Sequence, residues 1–467
     1  MSLSRKVRIL HVSADFLWPA GDGGRIRSVA QLRVIASLPE VERIDLFCLC
    51  EEEIGAERRA MPIRELPKLE ILEPVFHPVH LFRHPRYVPH VVLLRVLRGV
   101  PYMAAKWDSA AVRTALRRQL AGRTFDVVWI NGLGMAYYLP LLRRLLPGAR
   151  FVLDQHNVES DRFAEFAQRQ RGLRRIAGDA EWRAARRYER DVMRSVDAVG
   201  AISWSDARAY RELAGIQARV VPQVVPIASP VERETTEPRF CYAGNLTWEP
   251  NLRGVDWFCR EVWPLVRQRL PDATFEIAGA GLPTDASGAQ IPPLAWRAPG
   301  IRMLGFIHDI SSVYRSSAAM VAPLFGAFGI SIKLLDAFRH GIPVVTTTDG
   351  AWGLEIESAR EAFIESEPAA FAERVVQLAE SASLRARLRA AAYEFLEQHH
   401  QLASAQAAVR ELIGLSEPSE ERARLIETSR DGRVSATTAP FGTGYAPGKS
   451  AAGSVNPSND IVSTPAT

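Results

Sequence analysis

Lysine is scarce in this chain. Lys6, Lys68, Lys106, Lys333 and Lys449 are the only five among 58 basic residues, so arginine is the default cation. Cysteine is sparse too. Cys48, Cys50, Cys241 and Cys259 show no paired ligand spacing, which argues against a disulfide framework or a cysteine metal site and reads as core thiols in a reducing cytosol. No stretch approaches the roughly 18 uninterrupted apolar residues of a membrane-crossing helix. No Asp-x-Asp triplet occurs, so the usual carboxylate pair for a metal-bound diphosphate is missing. The opening, Lys6-Val7-Arg8-Ile9-Leu10-His11-Val12, reads as a first strand and not as a secretory leader. These absences together predict a cytoplasmic protein.

What is present is a long, ordinary globular composition. The 467 residues are 47% hydrophobic and 24% charged, enough for two domains of roughly 150–200 residues each. Apolar strand-like runs alternate with helical ones, which predicts parallel α/β architecture. Val7–Ser13, Ile44–Leu49, Val127–Asn131, Phe151–Asp154 and Ala198–Ile202 read as strands of a first half, with a helix over Arg25–Leu38 and one long helical run over Asp161–Arg194. The series restarts after a join near Pro222–Pro238. Arg239–Gly244, Thr274–Ala278, Ile301–Leu304, Ala319–Pro323 and Val344–Thr346 read as strands, and Pro250–Arg269 as a helix. The expected domains are 1–225 and 226–395, two doubly wound Rossmann-like units facing a central cleft. A helix over 396–415 is placed to cross back between them. Residues 416–467 turn charged and then Gly/Ala/Ser/Thr/Pro-rich, which predicts a disordered tail.

The richest window runs from Gly326 to Val345. A strand enters a glycine loop (Gly326-Ala327-Phe328-Gly329), the loop opens a helix carrying Lys333 and Asp336, and Gly341-Ile342-Pro343 feeds the next strand. Free N–H groups and the helix dipole favour an anion there. Lys333 and Asp336, three residues apart, share a helix face, which suits a phosphate for the ammonium and a pair of sugar hydroxyls for the carboxylate. A compact ammonium fits a phosphate treated as a point charge.

Several motifs, in order, resemble the family-4 glycosyltransferases of the GT-B fold, which move a sugar from a nucleotide-sugar donor to an acceptor. Gly21-Asp22-Gly23-Gly24 is similar to their N-domain glycine loop and Leu153-Asp154-Gln155-His156-Asn157-Val158-Glu159 to their strand-end histidine segment. Tyr242-Ala243-Gly244-Asn245-Leu246-Thr247-Trp248 resembles the opening of their C-terminal domain, and Phe275–Gly281, Gly305-Phe306-Ile307 and Gly329–Ala337 resemble its donor half. The resemblance spans about 7–412 and implies retaining, metal-independent transfer with the nucleotide sugar as substrate and no resident cofactor. It implies that Gly23 and Gly24 approach a phosphate or sugar, that His156 faces the transferred sugar or acceptor, and that Asn245 and Lys333 meet the diphosphate. Gly305 and Ile307 would offer backbone groups to the base, Gly329 would line the donor loop, and Asp336 would take the ribose hydroxyls.

There are departures. Of the family's two acids eight positions apart, the first position is Phe328 and the second Asp336, and the usual arginine–lysine pair of the first C-domain loop reads Asn245 and Asn251. Lys333 would supply the missing charge from the helix. Two alternatives stay open: a catalytically altered GT-B partner protein, or a nucleotide-sugar 2-epimerase. The net charge of +5 and the arginine-rich 161–194 run suit peripheral contact with an anionic membrane at its inner face and a lipid-linked or glycan acceptor. The acids mixed into that run argue against nucleic acid.

Overall fold

The computed structural model describes residues 6–20, 23–78, 88–168, 170–227, 237–285, 288–326 and 329–415. Gly21, Asp22, Ala327, Phe328, most of the proline-flanked join and the expected tail lie outside the described residues.

Among the described residues the first half holds eight strands: β1 (Val7–Ser13), β2 (Val41–Cys50), β3 (Leu69–Ile71), β4 (Val75–Phe76), β5 (Val127–Asn131), β6 (Arg150–Asp154), β7 (Ala198–Ala201) and β8 (Arg219–Val220). All pairings are parallel, in the order β3-β2-β1-β5-β6-β7-β8, with β4 beside β2. The second half holds β9 (Arg239–Ala243), β10 (Thr274–Ala278), β11 (Ile301–Gly305), β12 (Ala319–Ala322), β13 (Val344–Thr346) and β14 (Phe363–Ile364). Its order is β11-β10-β9-β12-β13-β14, again parallel throughout. These strands are near-continuous apolar runs because helices cover both faces. Alternate residues divide between the faces: Leu10, Val12, Val128 and Ile130 enter one core layer, while Val7, Ile9, Val127 and Trp129 enter the other. Phe240 and Tyr242 likewise part from Cys241 in the second half.

In each sheet the strand order reverses direction at one place, between β1 and β5 and between β9 and β12. Crevices beyond the carboxyl ends at such switch points are where open α/β sheets take ligands. Ser13 and Asn131 end the first pair of strands, and Ala243 and Ala322 end the second.

Two helical expectations need correction. The run 161–194 is two helices, Glu159–Gln168 and Gly172–Ser195. Gly172 between them takes φ +58°, and the second helix folds back so closely that a Cβ at Gly178 would stand 3.0 Å from Ala167 Cα. The 250–269 run starts at Glu249 and widens into a π turn at Phe258–Val262 before continuing as Trp263–Arg269. Pro264, which has no N–H to donate into the ladder, follows that turn. Helices Val88–Arg98, Tyr102–Ala105 and Ala110–Leu120 had no counterpart in the sequence reading.

The chain ends its described course in the first half. After Ala382–His399, helix Leu402–Leu412 places Ala405, Ala408, Val409 and Leu412 in the core layer of Val7 and Ile9. Arg410 pairs with Glu40 at 3.0 Å, and Arg150 Nε donates to the Leu412 carbonyl at 2.7 Å.

Candidate active site

The second half builds its crevice from the residues after β9 and β12. Gly244 follows β9 without a side chain, and a Cβ there would lie 3.1 Å from Lys333 Nζ and 2.6 Å from Tyr242 Oη. Lys333, in the first turn of helix Ile332–Arg339, reaches back across the ends of the strands. Its ammonium donates to Tyr242 Oη at 3.0 Å and to Asn251 Oδ1, and lies 4.6 Å from the Tyr242 ring centroid. Part of the side chain keeps surface, but the charged end is enclosed, and burial lowers its pKa to about 7. No carboxylate pairs with it among the described residues. Partners from β9 and helix Glu249–Trp257 close around it.

The neighbouring loop is held by its own side chains. Thr247 N–H and Oγ1 donate to Asn245 Oδ1 at 2.9 and 2.8 Å, and Asn251 Nδ2 donates to the Asn245 carbonyl at 2.6 Å. Asn245 thus spends its side-chain oxygen on a turn, and Asn251 ties that turn to Lys333. The helix bearing Asn251 comes within contact of β12 only because of Gly254, where a Cβ would fall 1.9 Å from the Pro323 carbonyl oxygen. The loop after β12 is pinned from the other side, with Asp349 Oδ2 accepting from Gly326 N at 2.8 Å.

Asp336 lies one turn along from Lys333 and is already engaged. Its Oδ2 accepts from the Tyr314 hydroxyl at 3.2 Å and its Oδ1 from Arg339 Nε at 2.8 Å, while His340 Nδ1 donates to its carbonyl at 2.7 Å. Gly305 takes φ +70° at the end of β11, its carbonyl accepting from Gly279 N at 2.8 Å. Ile307 packs half-buried on the Met320–Leu335 core layer.

The first half contributes a buried polar cluster at its own strand ends. Asp154, the last residue of β6, is fully buried, with Oδ2 3.3 Å from His156 Nε2 but without the alignment of a full hydrogen bond. Burial opposes its ionisation, yet His156, Arg27 and Gln31 together hold its pKa below the usual carboxylate range. His11 in β1 is fully buried too, both ring nitrogens without a partner among the described residues, and burial lowers its pKa to about 4. Arg27, also buried, donates to the Val221 carbonyl at 2.5 Å. Asn131 Nδ2 donates to Ser28 Oγ at 2.9 Å. The sequence reading gave roles to His156, Gly23 and Gly24 but none to Asp154, His11 or Arg27. A polar residue inside or at the end of an apolar strand was the available signal, present at His11 and Asp154.

The two crevices meet. A Cβ at Gly329, where φ is +72°, would stand 2.6 Å from Asn157 Oδ1 and 3.0 Å from the His156 carbonyl oxygen. Gly23 begins helix Gly23–Ser37 3.9 Å from Ile332 in the same sense, and Arg208 pairs with Glu355 across the halves at 3.1 Å. Gly24 follows in that helix, its carbonyl accepting from Ser28 Oγ at 3.0 Å. His156, Gly23 and Gly24 therefore lie on one wall, and Lys333, Gly329 and the Asn245 turn on the other.

Comparison with known proteins fits this layout. Residues 237–381 match the family model described as "Glycosyl transferases group 1". Over 405 residues the chain is 22% identical to a curated protein of Klebsiella pneumoniae described as "Uncharacterized 44.6 kDa protein in cps region", covering 84% of this chain and 96% of the other. Among solved structures it is similar to HepE of Anabaena in complex with UDP-glucose, at 14% identity over 88% of this chain and 100% of that one, TM-score 0.57. It is also similar to a TarM variant of S. aureus in complex with fondaparinux, alpha-GlcNAc-glycerol and UDP, at 9% identity over 87% and 99%, TM-score 0.60. The fold is the two-domain GT-B fold of glycosyltransferases.

Proposed function

We propose that this chain is a glycosyltransferase that moves a sugar from a nucleotide-diphosphate sugar to a glycan, lipid-linked or small-molecule acceptor, in the synthesis of a cell-surface polysaccharide or glycoconjugate. The observation that carries the proposal is the Lys333 ammonium, enclosed at the second switch point against Gly244 and facing no carboxylate among the described residues. A buried cation without an anion is a costly arrangement, and a diphosphate entering the crevice supplies the missing charge. During transfer, negative charge grows on the leaving diphosphate, and a fixed ammonium there stabilises it without solvent rearrangement. Independence from a metal ion belongs to the same proposal, since Lys333 and the N–H groups of its helix meet the diphosphate in a metal's place, and retention is the course that the resemblance of the motifs implies. Asp336, Gly305 and Ile307 take the nucleoside, although Asp336 must release or share its bonds to Tyr314 and Arg339 to accept ribose hydroxyls. His156, backed by Asp154, serves the transferred sugar and the acceptor from the opposite wall.

UDP in the HepE and TarM complexes and the cps region of the Klebsiella protein guide the choice of first donors and acceptors. The test is a thermal-shift screen of nucleotide sugars on the purified chain, followed by product analysis with the donor that stabilises it. Sugar found on an added acceptor with its anomeric configuration kept supports the reading. An epimerised nucleotide sugar, or no stabilising donor at all, contradicts it.

A further inference from the structure

His156 and Asn157 stand on a short connection between Asp154, the end of β6, and helix Glu159–Gln168. The residue before that helix is Val158, whose apolar side chain offers no acceptor to the first N–H groups. The acceptor comes from another helix. Glu189, fully buried in Gly172–Ser195, turns its carboxylate onto the connection. Its Oε1 accepts from Glu159 N at 2.9 Å and from Gln155 Nε2 at 3.2 Å, and its Oε2 accepts from Ser160 N at 2.9 Å. One side chain therefore grips the chain on both sides of His156. Between the two grips, the hydroxyl of buried Tyr210, in helix Trp204–Ala214, donates to the Asn157 carbonyl at 3.0 Å. Gln155 N donates in turn to the Gly200 carbonyl of β7 at 3.1 Å.

The arrangement costs the fold stability. Burial pushes the Glu189 pKa up to about 7, and only N–H and O–H donors favour its ionised form, since no cation pairs with it among the described residues. A serine or asparagine before the helix would cap it without burying a charge. A local cap would leave Gln155 untied, however, and with it the strand end that leads into His156. On its far side the connection meets the second half, where Asn157 Oδ1 and the His156 carbonyl oxygen crowd the space above Gly329. Any shift of the connection is thus a shift at the seam between the two walls of the cleft.

We propose that Glu189, together with Tyr210, is a positioning residue that fixes the backbone of residues 155–160, so that His156 and Asn157 face the second half in the geometry that transfer needs. Both side chains are fully buried, so they act through that backbone and not on a substrate. The effect on turnover rests on the transferase reading above; the clamp itself does not.

Hydrogen–deuterium exchange and kinetics on the full chain test it. Glu189→Gln keeps the shape but sets an amide nitrogen, which cannot accept, against one of the N–H donors. At about pH 8, where the wild-type carboxylate is ionised, amides over 155–161 should exchange about tenfold faster in this variant, and amides elsewhere should not change. Its kcat should fall about tenfold, with donor KM and nucleoside diphosphate affinity unchanged. Glu189→Asp, which keeps the charge on a shorter side chain, should recover part of both losses. Tyr210→Phe removes only the bond to Asn157 and should change exchange and kcat in the same direction by smaller factors; it decides the matter if the Glu189 variants do not fold. Unaltered exchange over 155–161 would overturn the clamp whatever the activity. Faster exchange with unchanged kcat, or nucleotide affinity lost in step with kcat, would overturn the positioning role. A wild type that transfers from no donor would count against the function proposed above, and the exchange result alone would then decide the clamp.

Discussion

Lys333 is where burial and function pull in opposite directions. Its pKa in the folded chain is lowered to about 7 by burial, against about 10.4 in an unfolded one. The unfolded state therefore binds more protons between these values, and the fold loses stability as pH falls from about 10 towards 7. Lys333→Met removes that cost. It should raise the melting temperature at neutral pH by about 2–4 °C, read by calorimetry, while lowering turnover on the order of 100-fold. A lower melting temperature would show the ammonium to be stabilising and the burial argument wrong. The importance of Lys333 was legible because lysine is rare and stands behind a glycine loop. Its depth was not, since Tyr242 and Asn251 come from 91 and 82 residues upstream, and local periodicity carries nothing about them. Asp154 makes a second case. Asp154→Asn keeps the shape but withdraws the charge beside His156. Expected is a loss in kcat of about tenfold or more, with a shifted pH profile and unchanged nucleotide affinity. An unaltered pH profile would leave Asp154 as structural packing only.

Among the elements, strands were read well and helices less so. Val127–Asn131, Thr274–Ala278 and Val344–Thr346 agree residue for residue because a parallel strand buried on both faces is a short apolar run closed by polar residues. The first-half helices between Val88 and Leu120 were missed because Gly99 and Pro101 punctuate them and, in Val88–Arg98, exposed Leu93 and Leu97 blur the stripe of Val91 and Leu94. The break at Gly172 was hidden by a helical pattern that continues on both sides of it. Packing between elements sets its own test at Gly254. Alanine there places a methyl group against the Pro323 carbonyl at a separation no pair of atoms tolerates, so helix Glu249–Trp257 must move and take Asn251 with it. A melting temperature several degrees lower and weaker nucleotide binding are expected together. Alanine tolerated at both readouts would refute the close approach.

For the whole molecule, the last described helix ties the end of the chain to its beginning. Ending the chain at Gln401 removes Ala405, Val409 and Leu412 from the core of the first half and should cost folding outright, seen as loss of soluble protein. Buried imidazoles set the acid limit. His11 and His400 both have pKa values lowered to about 4 by burial, against about 6.5 unfolded, so stability present above pH 6.5 is lost as pH falls towards 4. A thermal scan across that range should show the decline, lessened because Glu189 and Asp206, pushed up by burial to about 7 and about 6, act oppositely over an overlapping range. The relief of Lys333 continues to raise stability above about pH 7.

Titration calorimetry of uridine, adenosine and guanosine diphosphates into the wild type and Lys333→Met, at about pH 6 and about pH 9, tests the assignment of the diphosphate site to Lys333 most directly. A lysine that must be charged to hold the diphosphate loses about tenfold in apparent affinity for each pH unit above its free pKa. The wild type should bind one of the three with affinity falling on the order of 100-fold across this range, taking up a proton at the higher pH. Lys333→Met should bind weakly and without pH dependence. Equal, pH-independent affinity in the two proteins would contradict the assignment.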